Sequence, residues 1–417
     1  GAGEGSGSAP ATCNTGAMSS HDPKREPPEK RETGGVDTYS VSLYGEWSEM
    51  AWEAREVEFD ELLGASQKGE PAFFTAPNGE VLRMLPTGAR HGVHCPWLLE
   101  WEGSHLSIRR GREASADMLS VFVELGSLPL MANGLEETWR RVRSLLRSIG
   151  FRIHRDIPSR ADLCVDMPGV RPADFFQPYS AGQFISRVKD RVNSTGACGR
   201  VYHGFLPSDV EGFERGSGQR VKIRVYDKLK EVRRDAAKLF VLIKKRWGGV
   251  MPEAATRVEF QLGRPVLKER FAVESTADLV AKLPQIAVWC GGTWFRLTAS
   301  PVDREHKNQS RVETHPLWQQ VQGAFADWTG KSSVPVVVPR EVTLPKQESL
   351  VKQALGCIAS AMALSPVRCE GSGMDLLAEL QERVKSLMFF GMGREFVATF
   401  EERRQEFAAW SGRLIAK

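Results

Sequence analysis

The chain has 417 residues, with 56 Lys and Arg against 52 Asp and Glu, for a formal charge of +4. That length predicts two or three structural units and a core that needs no staples. A hydrophobic share of 41% and a charged share of 26% are those of a globular chain, and exclude a collagen-like, membrane-spanning or wholly disordered one. Seven cysteines, an odd number with no C-x-x-C pair, argue against a disulfide framework or zinc ribbon and suit a reducing cytoplasm. The first twenty residues show no apolar signal-peptide region, and no apolar run reaches the roughly 18 residues of a membrane helix. A cytoplasmic chain with no membrane partner is expected.

In chain order, residues 1–35 are rich in Gly, Ser, Pro and charge and read as a disordered segment. VDTYSVSLYGEW, from Val36, alternates like a strand. The segments AFFTA, GEVLRML, WLLEWEG, HLSIRR and SVFVELG read as further strands. Residues 134–149 carry Trp139, Val142, Leu145, Leu146 and Ile149 on one helical stripe that Gly150 closes. SRADLCVD (159–166) is a strand by period two, 180–192 a helix, 219–228 a strand, 229–247 a basic helix, and 256–262 a strand. Residues 330–346 read as a linker and 347–417 as a small helical unit. The expected fold is α+β: a curved antiparallel or mixed sheet with one polar face, helices on the other, within a large domain at 36–329. VFVEL (121–125) faintly echoes TRVEF (256–260).

Strand side chains alternate between faces. On three strands one face is aliphatic: Ala161, Leu163 and Val165; Val221, Ile223 and Val225; Val258, Phe260 and Leu262. The opposite face carries Arg160, Asp162, Cys164 and Asp166, then Lys222, Arg224, Tyr226 and Lys228, then Arg257, Glu259 and Gln261. An antiparallel sheet with one wet face does this routinely. The inventory nevertheless suits phosphoryl chemistry. Carboxylates hold a hard divalent cation, cationic side chains, here Arg160, Lys222, Arg224, Lys228 and Arg257, are candidates to cradle phosphates, and a tyrosine supplies a nucleophile. Asp162 and Asp166 lie roughly 13 Å apart along a straight strand, too far for one Mg²⁺ with ligands at about 2.1 Å. Asp162 therefore pairs with Glu259 as a candidate metal site, with Asp166 as an alternative ligand. A phenol titrates near pKa ~10, and lowering that by three units takes about 4 kcal/mol. Lys222, Arg224 or Lys228 and a metal-polarised phosphate are candidates to share that work. Salt bridges to Asp162 or Glu259 are the competing role for Arg224 and Lys228.

The ordered set SRADLCVDM, VYHGFLPSD, VKIRVYDKLKE and ATRVEFQL resembles the replication initiation factor (Rep_trans) family, rolling-circle replication initiators of plasmids and related mobile elements. VDTYSVSLYG and the segment around Trp318 resemble its opening strand and the close of its catalytic region, so the likeness spans roughly 36–325. The glycine step lacks the family's usual Ser after Gly204. The resemblance implies metal-dependent, origin-specific nicking with Mg²⁺ or Mn²⁺, through a tyrosine that stays bound to the 5′ phosphate. Tyr226 falls in the family's I-R-x-Y-D-K motif, and Asp162, Asp166 and Glu259 on its acidic positions. Tyr202 is the fallback nucleophile. The implied partners are single-stranded or supercoiled origin DNA, a second copy as a homodimer, and a host helicase. Two other readings stay open: a DNA-binding replication or regulatory protein without nicking, and a relaxase of a conjugative element with the same chemistry.

Residues 220–246 hold eleven Lys and Arg against three Asp and Glu, and Arg233 and Arg234 in this stretch are candidate DNA-backbone contacts. His91 and His94 stand at i and i+3, which excludes a His-hydrophobic-His metal site on one strand face. His203 reads as a turn residue or a ligand. The chain has no P-loop, H-E-x-x-H or G-x-S-x-G, and no tyrosine follows Tyr226, which disfavours a tyrosine recombinase. Trp97, Trp101, Trp289, Trp294 and Trp318 are expected in the core.

Overall fold

The computed structural model describes residues 33–115, 117–188, 199–204, 209–302 and 311–330, with Gly1, Glu382 and Lys385. The chain divides into two compact units, Gly1–Val338 and Pro339–Lys417. Apart from Glu382 and Lys385, the expected helical unit at 347–417 lies outside the described residues. So do the linker after Gly330 and the N-terminal segment between Gly1 and Thr33.

The strands are β1 (Gly34–Trp47), β2 (Phe73–Thr75), β3 (Val81–Met84), β4 (Ala89–Arg90), β5 (His94–Cys95), β6 (Trp97–Trp101), β7 (Ser104–Ile108), β8 (Val121–Leu125), β9 (Phe151–Pro168), β10 (Phe184–Ser186), β11 (Gly199–His203), β12 (Val210–Gly216), β13 (Val221–Asp227), β14 (Ala255–Gly263) and β15 (Phe295–Leu297). The helices are α1 (Glu49–Gln67), α2 (Ser127–Ser148), α3 (Pro172–Ser180), α4 (Lys228–Val232), α5 (Ala236–Lys245), α6 (Arg264–Phe271), α7 (Thr276–Val288) and α8 (Pro316–Thr329).

Eleven strands form one sheet in the order β11-β12-β13-β14-β9-β1-β8-β7-β6-β3-β2. Every pairing in it is antiparallel. The long strands β1 and β9 lie side by side at its centre. From each, the chain leaves through a helix, α1 or α3, and returns through antiparallel strands to pair with the strand it left, β8 with β1 and β14 with β9. The sheet is therefore a duplicated unit around the β1–β9 seam. The faint echo between VFVEL and TRVEF falls on the two equivalent returning strands, and it aligns Glu124 with Glu259.

The apolar face carries Val41 and Leu43, Val121 and Val123, Leu163 and Val165, Ile223 and Val225, and Val258 and Phe260, all fully buried. Complete burial of such a side chain stabilises by roughly 1.5–3 kcal/mol. Helices α2, α7 and α8 cover the central strands, with α3 over β12 and β13 and α1 over β3 and β6. All five tryptophans expected in the core are buried there. Three register shifts between β1 and β9, one at Asp37, interrupt the central pair; such bulges bend a strand and re-aim side chains.

The structure departs from the expected elements at several places. The helix expected at 180–192 is absent over its described part: α3 ends at Ser180, and β10 pairs with β15. The basic helix expected at 229–247 is two helices, because Asp235 accepts a hydrogen bond from the Lys238 amide and so caps α5 afresh. Helix α1 has no counterpart in the sequence reading: Trp52 and Phe59 are its only fully buried side chains, and Met50 and Val57 are exposed. Strand β12 was likewise unread: Gly212 and the charges of Glu211, Glu214 and Arg215 mask its alternation.

Candidate active site on the polar sheet face

Register places the sequence-predicted residues side by side. Arg224 stands opposite Glu259, and Tyr226 opposite Arg257. On the next strand, Cys164 lies opposite Glu259 and Asp162 opposite Gln261. The Tyr226 hydroxyl donates to Glu259 Oε2 at 3.0 Å. Arg224 Nη2 donates to Glu259 Oε1 and, at 3.3 Å, to Asp162 Oδ2. Arg160 Nε donates to Asp162 Oδ1 at 2.9 Å. Tyr226, Glu259, Arg224, Asp162 and Arg160 are thus one continuous polar chain across three strands. The salt bridges weighed for Arg224 are present, so it holds the acids together while remaining one-third exposed.

Burial and charge set the protonation of the group. Burial, then the charges of Asp37 and Asp162, push the Glu259 carboxyl up to about 7, against the pull of Arg224. Burial also raises Asp162, opposed by Arg160 and Arg224. The Tyr226 phenol lies well above its ordinary value, first through burial and then through the adjacent Glu259. Glu259 therefore holds a proton acceptor's position against a phenol that needs one.

Asp166 is in a different setting. Arg257 Nε and Nη2 donate to its two oxygens at 2.6 and 2.8 Å, and Arg257 Nη1 donates to Asp37. Burial favours the protonated acid, but the Arg257 charge and hydrogen bonds overcome it and hold Asp166 below the usual carboxylate range. Both Asp166 oxygens are thus engaged by a fully buried guanidinium. The structure does not bring Asp166 together with Asp162 and Glu259, and Arg257 is a structural ion-pair partner, inaccessible to a phosphate.

Lys228 is buried, pairs with Glu231, and holds its ammonium 5.7 Å from the centre of the Tyr226 ring. Lys222 pairs with Glu214 at 3.4 Å. Arg233 and Arg234 are exposed at the break between α4 and α5. Tyr202, on β11, is 42% exposed. Two acids escaped the sequence reading. Asp37 sits at a β1 bulge, which alternation does not anticipate, and Glu214 lies on the unread strand β12. The Val-Asp pair that opens β1 was the available signal for Asp37.

The Asp162 and Glu259 carboxylates both bond the same nitrogen, Arg224 Nη2, so a divalent cation held by the two would take the place of that guanidinium nitrogen. Among the described residues no group of three or more His, Cys, Asp or Glu side chains is arranged for a metal. Two carboxylates suffice for Mg²⁺, which completes its shell with water and substrate phosphate oxygens.

No known protein-family profile matches this chain, and no curated protein does. A solved structure of a rolling circle replication initiator protein from Geobacillus stearothermophilus is similar at a TM-score of 0.39 and 13% identity, over 73% of this chain and 98% of that one. No helix among the described residues is long and apolar enough to cross a membrane.

Proposed function

We propose that this protein is a DNA nicking and strand-transfer enzyme that initiates rolling-circle replication, with Tyr226 as nucleophile. The observation that carries the reading is the hydrogen bond from Tyr226 to Glu259, itself bound to Arg224, which also reaches Asp162. Those residues occupy the ordered motifs that resemble the Rep_trans family. In this reading Glu259 accepts the phenol proton as Tyr226 oxygen attacks the scissile phosphorus. The 3′ oxygen of the strand leaves, and the 5′ phosphate stays on Tyr226. The bond energy is retained, so the strand rejoins without ATP. Arg224 and Lys222 bind phosphate oxygens, and Lys228 stabilises the developing phenolate. Mg²⁺ or Mn²⁺, held by Asp162 and Glu259, polarises the phosphate when bound. Single-stranded or supercoiled origin DNA is the substrate, and a second copy and a host helicase are the partners of this reading.

The test is a covalent adduct that survives SDS after incubation with supercoiled DNA carrying the sequence that flanks the protein's own gene, with Mn²⁺. Wild type forms it. Tyr226→Phe lowers it at least about 1000-fold, and a full yield from that variant refutes the nucleophile. Absence of any wild-type adduct refutes the enzyme and leaves a DNA-binding protein. Chelation of the metal with EDTA abolishes the adduct, and persistence in EDTA refutes the metal.

A further inference from the structure

The N-terminal half of the polar face carries a concavity of about 540 Å³. Its floor follows from the duplication. The alignment that puts Glu124 at the place of Glu259 puts Phe122 at that of Arg257, and Ser42, the register partner of Phe122, at that of Asp166. The C-terminal half fills this place with a buried ion pair. The N-terminal half has a phenyl ring and a small hydroxyl there, which makes room for the concavity. His91 lies over Phe122, with ring centres 3.7 Å apart and planes 17° apart. It stands at the tip of the β4–β5 hairpin, where Gly92 takes φ +79°, a left-handed conformation open to glycine. His91 Nε2 is 3.1 Å from Ser107 Oγ, a hydrogen bond that fixes the imidazole.

The walls of the concavity differ in chemistry. One is the His91–Phe122 stack, both rings half-buried, and a planar ring pair of this kind is a platform for a further planar ring. The other is polar: Arg160 on β9 and the exposed Gln219 of the β12–β13 turn, whose amide both donates and accepts hydrogen bonds. Arg160 joins the concavity to the catalytic residues. Its Nε holds Asp162 Oδ1 at 2.9 Å, and its side chain stays one-third exposed. Arg224 reaches the same carboxylate and is equally exposed. Two accessible guanidinium groups thus lie between Tyr226 and the concavity, as a polyanionic strand requires. Tyr226 is level with Asp166 on β9 through Arg257, and the concavity with Arg160 through Ser40. The two are therefore roughly 20 Å apart along the sheet, about six nucleotides of a stacked strand and fewer of an extended one.

We propose that this concavity binds one nucleobase of the DNA strand that Tyr226 cuts, within about six nucleotides of the scissile phosphate; this rests on the nicking function proposed above. The base stacks on the His91–Phe122 pair, its edge faces Gln219, and an adjoining phosphate lies at Arg160. His91 and Phe122 take no part in the chemistry. They set which phosphodiester reaches Tyr226, because a strand anchored by one base can shift only by whole nucleotides. The N-terminal half of the sheet thus supplies the register of the strand for the catalytic set of the C-terminal half. A ring stack used for packing alone needs neither a concavity at its side nor a cation shared with the catalytic acids.

The experiment uses the full chain with Mn²⁺ and single-stranded oligonucleotides carrying the nick sequence, mapped from the wild-type adduct. One abasic residue is stepped through the positions around the nick, and the rate of SDS-resistant adduct formation is measured for each. Wild type is expected to lose about 10-fold or more at one position within about six nucleotides of the nick. His91→Ala is expected to lose about as much on the intact strand, and less than about twofold further at that position, since base and ring form one contact. His91→Phe, which keeps a planar ring, is expected to stay within about threefold of wild type and to retain the abasic penalty. Phe122→Leu is read in the same way should His91→Ala lack a cooperative melting transition. Wild type without such a position, or abasic penalties in the variant equal to those of wild type throughout, overturns the base site and leaves Tyr226 standing. Absence of any adduct in wild type fells the nicking function, and this inference with it.

Discussion

At the scale of single residues, two buried carboxylates on the same face are shifted in opposite directions. Glu259 is pushed up to about 7, first by burial, whereas Asp166 is held down by Arg257 against that burial. The folded chain binds the Glu259 proton more tightly than an unfolded one, which loses it near 4.5. Stability from that group is therefore complete below about pH 4.5 and is lost as pH rises through 7. The loss is about 3 kcal/mol. Glu259→Gln should remove this decline, seen as urea midpoints that no longer fall between pH 5 and 8; an unchanged slope would contradict it. Asp166→Asn has a different consequence, leaving Arg257 buried with its charge half-compensated. It should cost about 3–5 kcal/mol in equilibrium unfolding, with the contribution of Asp166 in wild type fading only as pH falls below its ordinary carboxylate value.

At the scale of elements, β12 is the strand that organises the outer half of the site. Gly212 lets Val225 and Tyr226 of β13 approach where no Cβ fits. Gly212→Ala should destabilise by about 1–3 kcal/mol, read as a lower melting temperature. The break between α4 and α5 leaves Arg233 and Arg234 exposed, where one continuous helix would have spread them along a face. If these two contact DNA phosphates, replacing both by Ala should reduce the slope of log affinity against log salt by about 2. Titration of single-stranded and duplex oligonucleotides at several salt concentrations decides this. An unchanged slope makes the basic stretch a solvated surface.

At the scale of the whole molecule, the duplication puts two half-sites on one sheet and equips one of them. Register gives Ser107 the place of Tyr226, His105 that of Arg224, and Glu124 that of Glu259. The N-terminal half has the acid, and has no tyrosine or arginine at those two places. In place of those groups, His91 stacks on Phe122 with ring centres 3.7 Å apart, beside a concavity of about 540 Å³ that Arg160 also lines. Glu124→Gln should therefore change the adduct rate less than about twofold, against a loss of at least about 100-fold for Glu259→Gln. A comparable loss in both would mean that the halves act together.

Much of this was legible in the residues. Alternation marked β1, β9, β13 and β14 because each buries an aliphatic stripe and leaves its other face polar, a pattern local to the strand. The same alternation put Asp162, Arg224, Tyr226 and Glu259 on one face, and chain geometry alone separated Asp162 from Asp166. Which charges meet is a property of pairing between distant segments, and there the tertiary structure decided. It joined Arg257 to Asp166 and Asp37, Arg224 to both Asp162 and Glu259, and Tyr202 to the row of Tyr226 through a strand that glycine and charge had hidden. A side chain's face follows from its own neighbours in sequence; its partner, its burial and hence its protonation follow from strands that only folding brings together.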